Sequence, residues 1–219
     1  MKKILPMLIA AILLFHPISA VAGIIGTALL DVHWSPPTGG GYYLDYDGNM
    51  TFEGKTSWVE MFCVEKSKAP NTQQTYTLLS IDPSLNDFGL TAYNFMKAAW
   101  VADYWVNESK SLSASESDLL KGEAQKAVWD ITNVMHIVGT SGDDWNILNA
   151  VPINIGTYDT SNWALAVSPQ VTPGNPVVIS DFQNYIVPNP NPVPEPATML
   201  LLGTGLIGLA GFGRKKSRS

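Results

Sequence analysis

The chain has 219 residues, a formal net charge of −6, 46% hydrophobic residues, seven Trp and eight Tyr. That length holds one domain plus processing segments, and that aromatic content argues for a folded core rather than a disordered spacer. Between Gly23 and Pro196 lie seven Lys, no Arg and all nineteen acidic residues, a net charge of −12 that makes a poor partner for nucleic acid.

The first 22 residues read as a secretory signal. Lys2 and Lys3 form the charged start, and Ile4 to Phe15 an apolar stretch too short to favour a permanent span. Ala20-Val21-Ala22 fits the small-x-small rule, so signal peptidase is expected to cut between Ala22 and Gly23. An uncleaved N-terminal anchor is the alternative. The expected organisation is a signal helix at 1–22, an extracellular domain at 23–187, a Pro-rich spacer at 188–193 and a sorting tail at 194–219.

Ile24 to Leu30 is β-branched and apolar, a first strand. Ser35 to Gly41 is a Pro/Gly loop. Tyr42 to Tyr46 and Met50 to Phe52 flank Asp47-Gly48-Asn49, which reads as a hairpin turn. Asp45 and Asp47 hint at a calcium loop, but the distal Glu and the ligand spacing are missing, so the turn is preferred. Ser57 to Glu65 alternates as a strand, with Val59, Met61 and Cys63 on one face and Trp58, Phe62 and Val64 on the other. Thr75 to Ile81 is a further strand.

Helical spacing starts near Thr91. Phe95, Ala98, Ala99, Ala102 and Val106 make one stripe, and Tyr93, Met96, Trp100 and Tyr104 a second, so this helix is expected to be mostly buried. Ser113 and Glu116 form a capping box for a second helix over Ala114 to Met135. Beyond Gly139 frequent Gly, Asn, Asp and Pro predict long loops, with short strands at Trp163–Val167, Val177–Ser180 and Asn184–Val187. The expected class is α+β: a β-rich sandwich or barrel-like domain with two adjacent central helices.

The tail carries three signals in order: Pro194-Glu195-Pro196, an uncharged apolar run from Ala197 to Phe212, and a basic end containing Arg214, Lys215 and Lys216. As a helix those 16 residues span about 24 Å, somewhat under the ~30 Å hydrocarbon core, a gap that snorkelling or local thinning closes. The basic end is expected to stay cytoplasmic. The tail resembles the PEP-CTERM sorting signal of Gram-negative bacteria. That resemblance implies recognition by an exosortase, loss of the transmembrane segment at 197–212 and delivery to the cell surface or extracellular matrix. A plain C-terminal anchor in the inner membrane is the alternative.

Two segments further up resemble the thioester-domain family of bacterial surface proteins. One is Met61-Phe62-Cys63-Val64-Glu65; the other is Ala124-Gln125-Lys126-Ala127-Val128-Trp129-Asp130-Ile131. Ala98-Ala99-Trp100-Val101 resembles the helix between them in similar proteins. Ala124 stands where surface adhesins often carry Thr. The resemblance implies that Cys63 and Gln125 join as an internal thioester, shielded by Trp129 and Phe62, and that an amine-bearing or polysaccharide surface target is captured in one coupling without turnover. Read from the residues alone, Cys63 is equally a small buried hydrophobe, and Gln125 a surface residue or local hydrogen bonder.

No enzyme is expected. His33 and His136 follow the signal, but neither sits in a catalytic motif. No metal-ligand spacing and no phosphate-cradling loop appear, so no cofactor is expected. Two functions stay open: a covalent adhesin, or a non-covalent structural component of the exopolysaccharide matrix.

Overall fold

The computed structural model describes residues 23–35, 45–65, 73–132, 143–167 and 183–191. Six strands build it: β1 (Ile24–Ser35), β2 (Asp45–Phe52), β3 (Lys55–Cys63), β4 (Gln73–Ser80), β5 (Trp163–Val167) and β6 (Tyr185–Pro188). They close into an antiparallel barrel in the order β1-β2-β3-β6-β5-β4, with β4 pairing back onto β1. Closure leaves no sheet edge to cover. Three helices follow β4 and precede β5: α1 (Ala92–Glu108), α2 (Ala114–Ile131) and α3 (Asp143–Ala150). The class is α+β, with the barrel form chosen over the sandwich. The expected signal helix, the transmembrane segment 197–212 and the strand Val177–Ser180 lie outside the described residues.

Two cores result. One fills the barrel with inward residues, among them Leu30, Val32, Tyr46, Met50, Met61, Cys63, Tyr76, Leu78, Ala166 and Tyr185. The other lies between the barrel wall and the helices and holds Phe62, Val64, Leu79, Leu165, Val167 and Ile186 with Ala98, Ala99, Ala102, Ala124 and Val128. The strand alternation of β3 therefore has a physical meaning: Val59, Met61 and Cys63 turn inward, while Phe62 and Val64 face the helices. Every residue of β5 is buried because the barrel covers one face and the helices the other, which explains its unbroken apolar sequence. Small residues on α1 and α2 let the two helices lie close together.

The expected hairpin turn at Asp47-Gly48-Asn49 is corrected. These residues run through the middle of β2, where Gly48 pairs with Val32 and Val59. Gly48 has φ 154°, and a Cβ there would stand 2.1 Å from the Asp31 carbonyl oxygen, so the glycine serves close backbone approach. The turn falls instead at Glu53-Gly54, between the paired residues Phe52 and Lys55. Both turn residues have positive φ, 49° and 77°, as a tight two-residue hairpin requires. The loop expected after Gly139 also needs correction: Asp143–Ala150 is helical, and Ile147 anchors it in the helix-side core. The capping box is present, with the Ser113 N–H donating to Glu116 Oε2 at 2.9 Å. The described part of α2 ends at Ile131, four residues short of the expected Met135.

Candidate functional site

β3 carries Cys63 at its last position, and α2 carries Gln125 and Trp129 one turn apart. Cys63 pairs with Tyr185 of β6, and the next residue donates its N–H to the Asn184 carbonyl at 3.0 Å. Polar groups alternate sides along a strand, so the N–H and C=O of Cys63 point away from β6. There the Gln125 side chain meets both. The Cys63 N–H donates to Gln125 Oε1 at 2.8 Å, and Gln125 Nε2 donates to the Cys63 carbonyl at 2.6 Å. The carboxamide thus stands in for a strand peptide beside the end of β3. All of this is dry: Cys63 is 0% exposed, Gln125 1% and Trp129 2%.

The thiol itself points into the barrel. It contacts the main chain of Glu65, donating to the carbonyl at 3.2 Å and accepting from the N–H at 3.3 Å. Burial pushes the Cys63 thiol up to about 12; the Glu65 backbone, the Trp129 indole and the Gln183 side chain pull in the opposite direction. Trp129 belongs to the same barrel core as Cys63, so the structure brings Cys63, Gln125 and Trp129 together. Phe62 points the other way, against the rings of Trp105 and Trp163 at centroid distances of 5.8 and 6.2 Å.

Several residues around the thiol had no signal in the sequence. Tyr46, Tyr76 and Tyr185 are buried inside the barrel, with Tyr185 5.9 Å by ring centroid from each of the other two. Burial raises all three phenols above their ordinary value, and the neighbouring Cys63 adds to each shift. The Tyr185 hydroxyl donates to Gln183 Oε1 at 3.1 Å, and Gln183 Nε2 donates to the Glu65 carbonyl at 2.7 Å. Asn184 Nδ2 donates to the Glu65 carboxylate at 2.8 Å. The Tyr76 hydroxyl has no hydrogen-bond partner among the described residues. Tyrosine is common both in cores and on surfaces, so only the inward alternation of Tyr46 with Met50, Tyr76 with Leu78 and Tyr185 with Val187 marks these three.

One turn before Gln125, Lys121 is buried too. Its Nζ donates to the Tyr46 carbonyl at 2.9 Å and contacts the Glu60 carboxylate, and it lies 5.2 Å from the centre of the Trp105 ring. These contacts tie α2 to β2 and β3 and so fix the height of Gln125 against Cys63. His33 projects outward from β1 while Cys63 faces inward, so the two do not meet; His136 lies outside the described residues. Among the described residues no three His, Cys, Asp or Glu side chains are grouped as metal ligands, and no helix is long and apolar enough to cross a membrane.

Gly23, the expected first residue after signal removal, sits at the head of β1. Its N–H donates to Ser80 Oγ at 3.1 Å, and its carbonyl accepts from the Ser80 N–H at 2.9 Å. The other sequence-predicted processing residues, Ala22, Pro194, Glu195, Pro196, Arg214, Lys215 and Lys216, lie outside the described residues.

Comparison with known proteins bears on the tail. Searches of curated proteins and of solved structures find no match to the chain. Residues 192–215 match the family model of the PEP-CTERM protein-sorting motif, which covers the Pro-Glu-Pro core, the apolar run and the start of the basic end. The chain therefore carries an exosortase sorting signal, the mark of an exported protein processed at its C-terminus and delivered to the cell surface.

Proposed function

We propose that this exported protein is an adhesin that attaches covalently through a thioester between Cys63 and Gln125. One observation carries the reading: a buried carboxamide is fixed by two hydrogen bonds to the main chain of the residue whose thiol would attack it. The chemistry follows from that placement. The Cys63 sulfur forms a bond to the Gln125 carboxamide carbon, the C–N bond breaks, and the thiol proton leaves with the nitrogen as ammonia. The Cys63 N–H already holds Oε1, the atom on which negative charge develops, which is the role of an oxyanion-stabilising donor. The buried setting and the Trp129 indole keep water from the bond. A primary amine on the target then attacks the same carbon, the C–S bond breaks, and the proton returns to Cys63. The protein ends amide-linked through Gln125.

A second reading rests on the same contacts. Gln125 satisfies the strand end, and the buried thiol, held protonated and engaged with Glu65, is inert. The protein is then a non-covalent component of the extracellular polysaccharide matrix. Intact mass of the mature protein separates the two. The adhesin reading expects a deficit of one ammonia and a peptide linking Cys63 to Gln125. It also expects methylamine to add to Gln125 while freeing Cys63. A full mass with no methylamine adduct in folded protein overturns it in favour of the second.

A further inference from the structure

β1 starts and β6 ends at the same end of the barrel, because each strand runs antiparallel to the one before it and their number is even. Gly23 and Pro188 therefore share the end that carries the Glu53-Gly54 turn and Ser80, while Cys63 and Tyr185 lie at the other. Beyond β6 the chain stays pinned. The Asn189 N–H donates to the Asn162 carbonyl and Asn189 Nδ2 to the Ser161 carbonyl, both at 2.8 Å. The Asn191 N–H donates to Asn189 Oδ1 at 3.0 Å. Of the spacer expected at 188–193, only Pro192 and Val193 then separate this fixed chain from Pro194. Asn189 and Asn191 line two open grooves of about 310 and 480 Å³, one beside Lys55 and the other beside Asp82. Two apolar side chains meet solvent next to the larger groove. Ile153, 96% exposed, stands three residues before the lining Gly156, and Tyr93, 43% exposed, one turn before the lining Met96. The Tyr93 hydroxyl joins the two segments by donating to the Ile153 carbonyl at 2.7 Å.

We propose that this end of the barrel is a docking surface for the exosortase that processes the tail. The length of chain carries the argument. Three residues reach at most about 11 Å, so Pro194 lies no further than that from Asn191. A folded unit of 100 residues already has a radius of gyration of about 13 Å. An enzyme that closes on Pro194-Glu195-Pro196 therefore meets the barrel end. The surface there suits contact: Ile153 and Tyr93 leave water when covered, and the two grooves flanking Asn189 can receive side chains. Asn189 holds the exit in place before the enzyme arrives, so little ordering cost falls on this chain. The proposal rests on the sorting signal and not on a bond at Cys63, which the docked enzyme leaves clear at the far end.

The test is photo-cross-linking of the full chain in cells that make the exosortase, with a benzophenone amino acid in place of one exposed residue at a time. Lys55 and Ile153 sample the docking end, and Gln73 the opposite end. The first two should give an adduct with the exosortase at about five times the yield from Gln73 or more. Inserting about a dozen Gly and Ser residues between Asn191 and Pro192 moves the motif away by about 20 Å. That insertion should lower the adduct and slow tail removal about threefold or more in a pulse-chase. Ile153→Asp should slow it similarly with an unchanged thermal midpoint, since the side chain is exposed. Equal adducts from Gln73, adducts to phospholipid alone, or full-rate tail removal in the insertion variant would each overturn the proposal. Tail removal from the parent chain is read in the same experiment, so a failure of the sorting signal itself is seen separately. Cys63→Ala should be processed as the parent is, which keeps the outcome apart from the adhesin reading.

Discussion

Gln125 holds Cys63 by both main-chain groups, accepting from the N–H at 2.8 Å and donating to the C=O at 2.6 Å. A side chain from a helix thereby completes the hydrogen bonding of a strand end inside the protein. The same contact places an electrophilic carbon beside a cysteine. The structural role and the proposed chemical role fall on one residue, and substitution has to be read for both.

Replacing Gln125 tests the structural role first. Gln125→Met keeps the side-chain length and loses both bonds, so the Cys63 N–H and C=O are left buried without partners. Each orphaned group should cost about 1–3 kcal/mol. Urea denaturation should show the loss as a lower midpoint with an unchanged slope. A total below about 1 kcal/mol would mean that the strand end finds other partners.

The raised thiol gives a pH signature. Cys63 moves from an ordinary value of 9.0 to about 12 on folding. Below pH 9 the thiol is protonated in both states, and its contribution to stability is full. Between pH 9 and about 12 the unfolded chain releases the proton and the folded chain keeps it, so the unfolded state binds fewer protons. Stability should therefore fall with rising pH, by about 1.4 kcal/mol per unit from this group alone. The raised tyrosines add a further fall above pH 10, so Cys63→Ala is the control that isolates the thiol. If Cys63 is bound in a thioester it has no proton to lose, and parent and variant should then share one profile between pH 9 and 10.

Gly48 offers a test of the barrel. Gly48→Ala would bring a methyl group to 2.1 Å from the Asp31 carbonyl oxygen, at a φ of 154° that side-chain-bearing residues rarely adopt. The obstacle is backbone, so the strands must separate locally. The expected loss exceeds about 3 kcal/mol, measured by denaturation, or folded protein fails to accumulate. A neighbouring change, Asn49→Ala, should cost under about 0.5 kcal/mol because its side chain is on the outer face.

Processing should show at both ends. N-terminal sequencing of surface protein should begin at Gly23, where the β1 head meets Ser80. The mature C-terminus should fall short of the natural one, and exosortase-deficient cells should retain the tail. Deleting Arg214 to Ser219 should impair retention and sorting, because the positive charge expected to keep that end cytoplasmic is removed. An identical C-terminus with and without exosortase would remove this reading.

The sequence by itself determined what depends on neighbours along the chain. The sorting tail is a linear signal and is readable in full. β3, β5 and α1 follow from period-two and period-3.6 patterns, and the Ser113 box marks the start of α2 because capping is local. The alternation of Val59, Met61 and Cys63 correctly placed the thiol among apolar residues. Tertiary structure decided everything that depends on who stands opposite. Asp47-Gly48-Asn49 has the composition of a turn, yet closing the barrel needed a glycine where β2 approaches the backbone of β1, and the turn moved to Glu53-Gly54. Phe62 shares a segment with Cys63 but not a face. The tyrosines and Gln183 come to the thiol from three separate segments, 46, 76 and 183–185, which only barrel closure unites. The carboxamide of Gln125 meets the main chain of Cys63 across 62 residues because α2 is pinned to β2 and β3 by Lys121. No local pattern records that distance, since it is set by packing between elements rather than by the conformational preferences within either one.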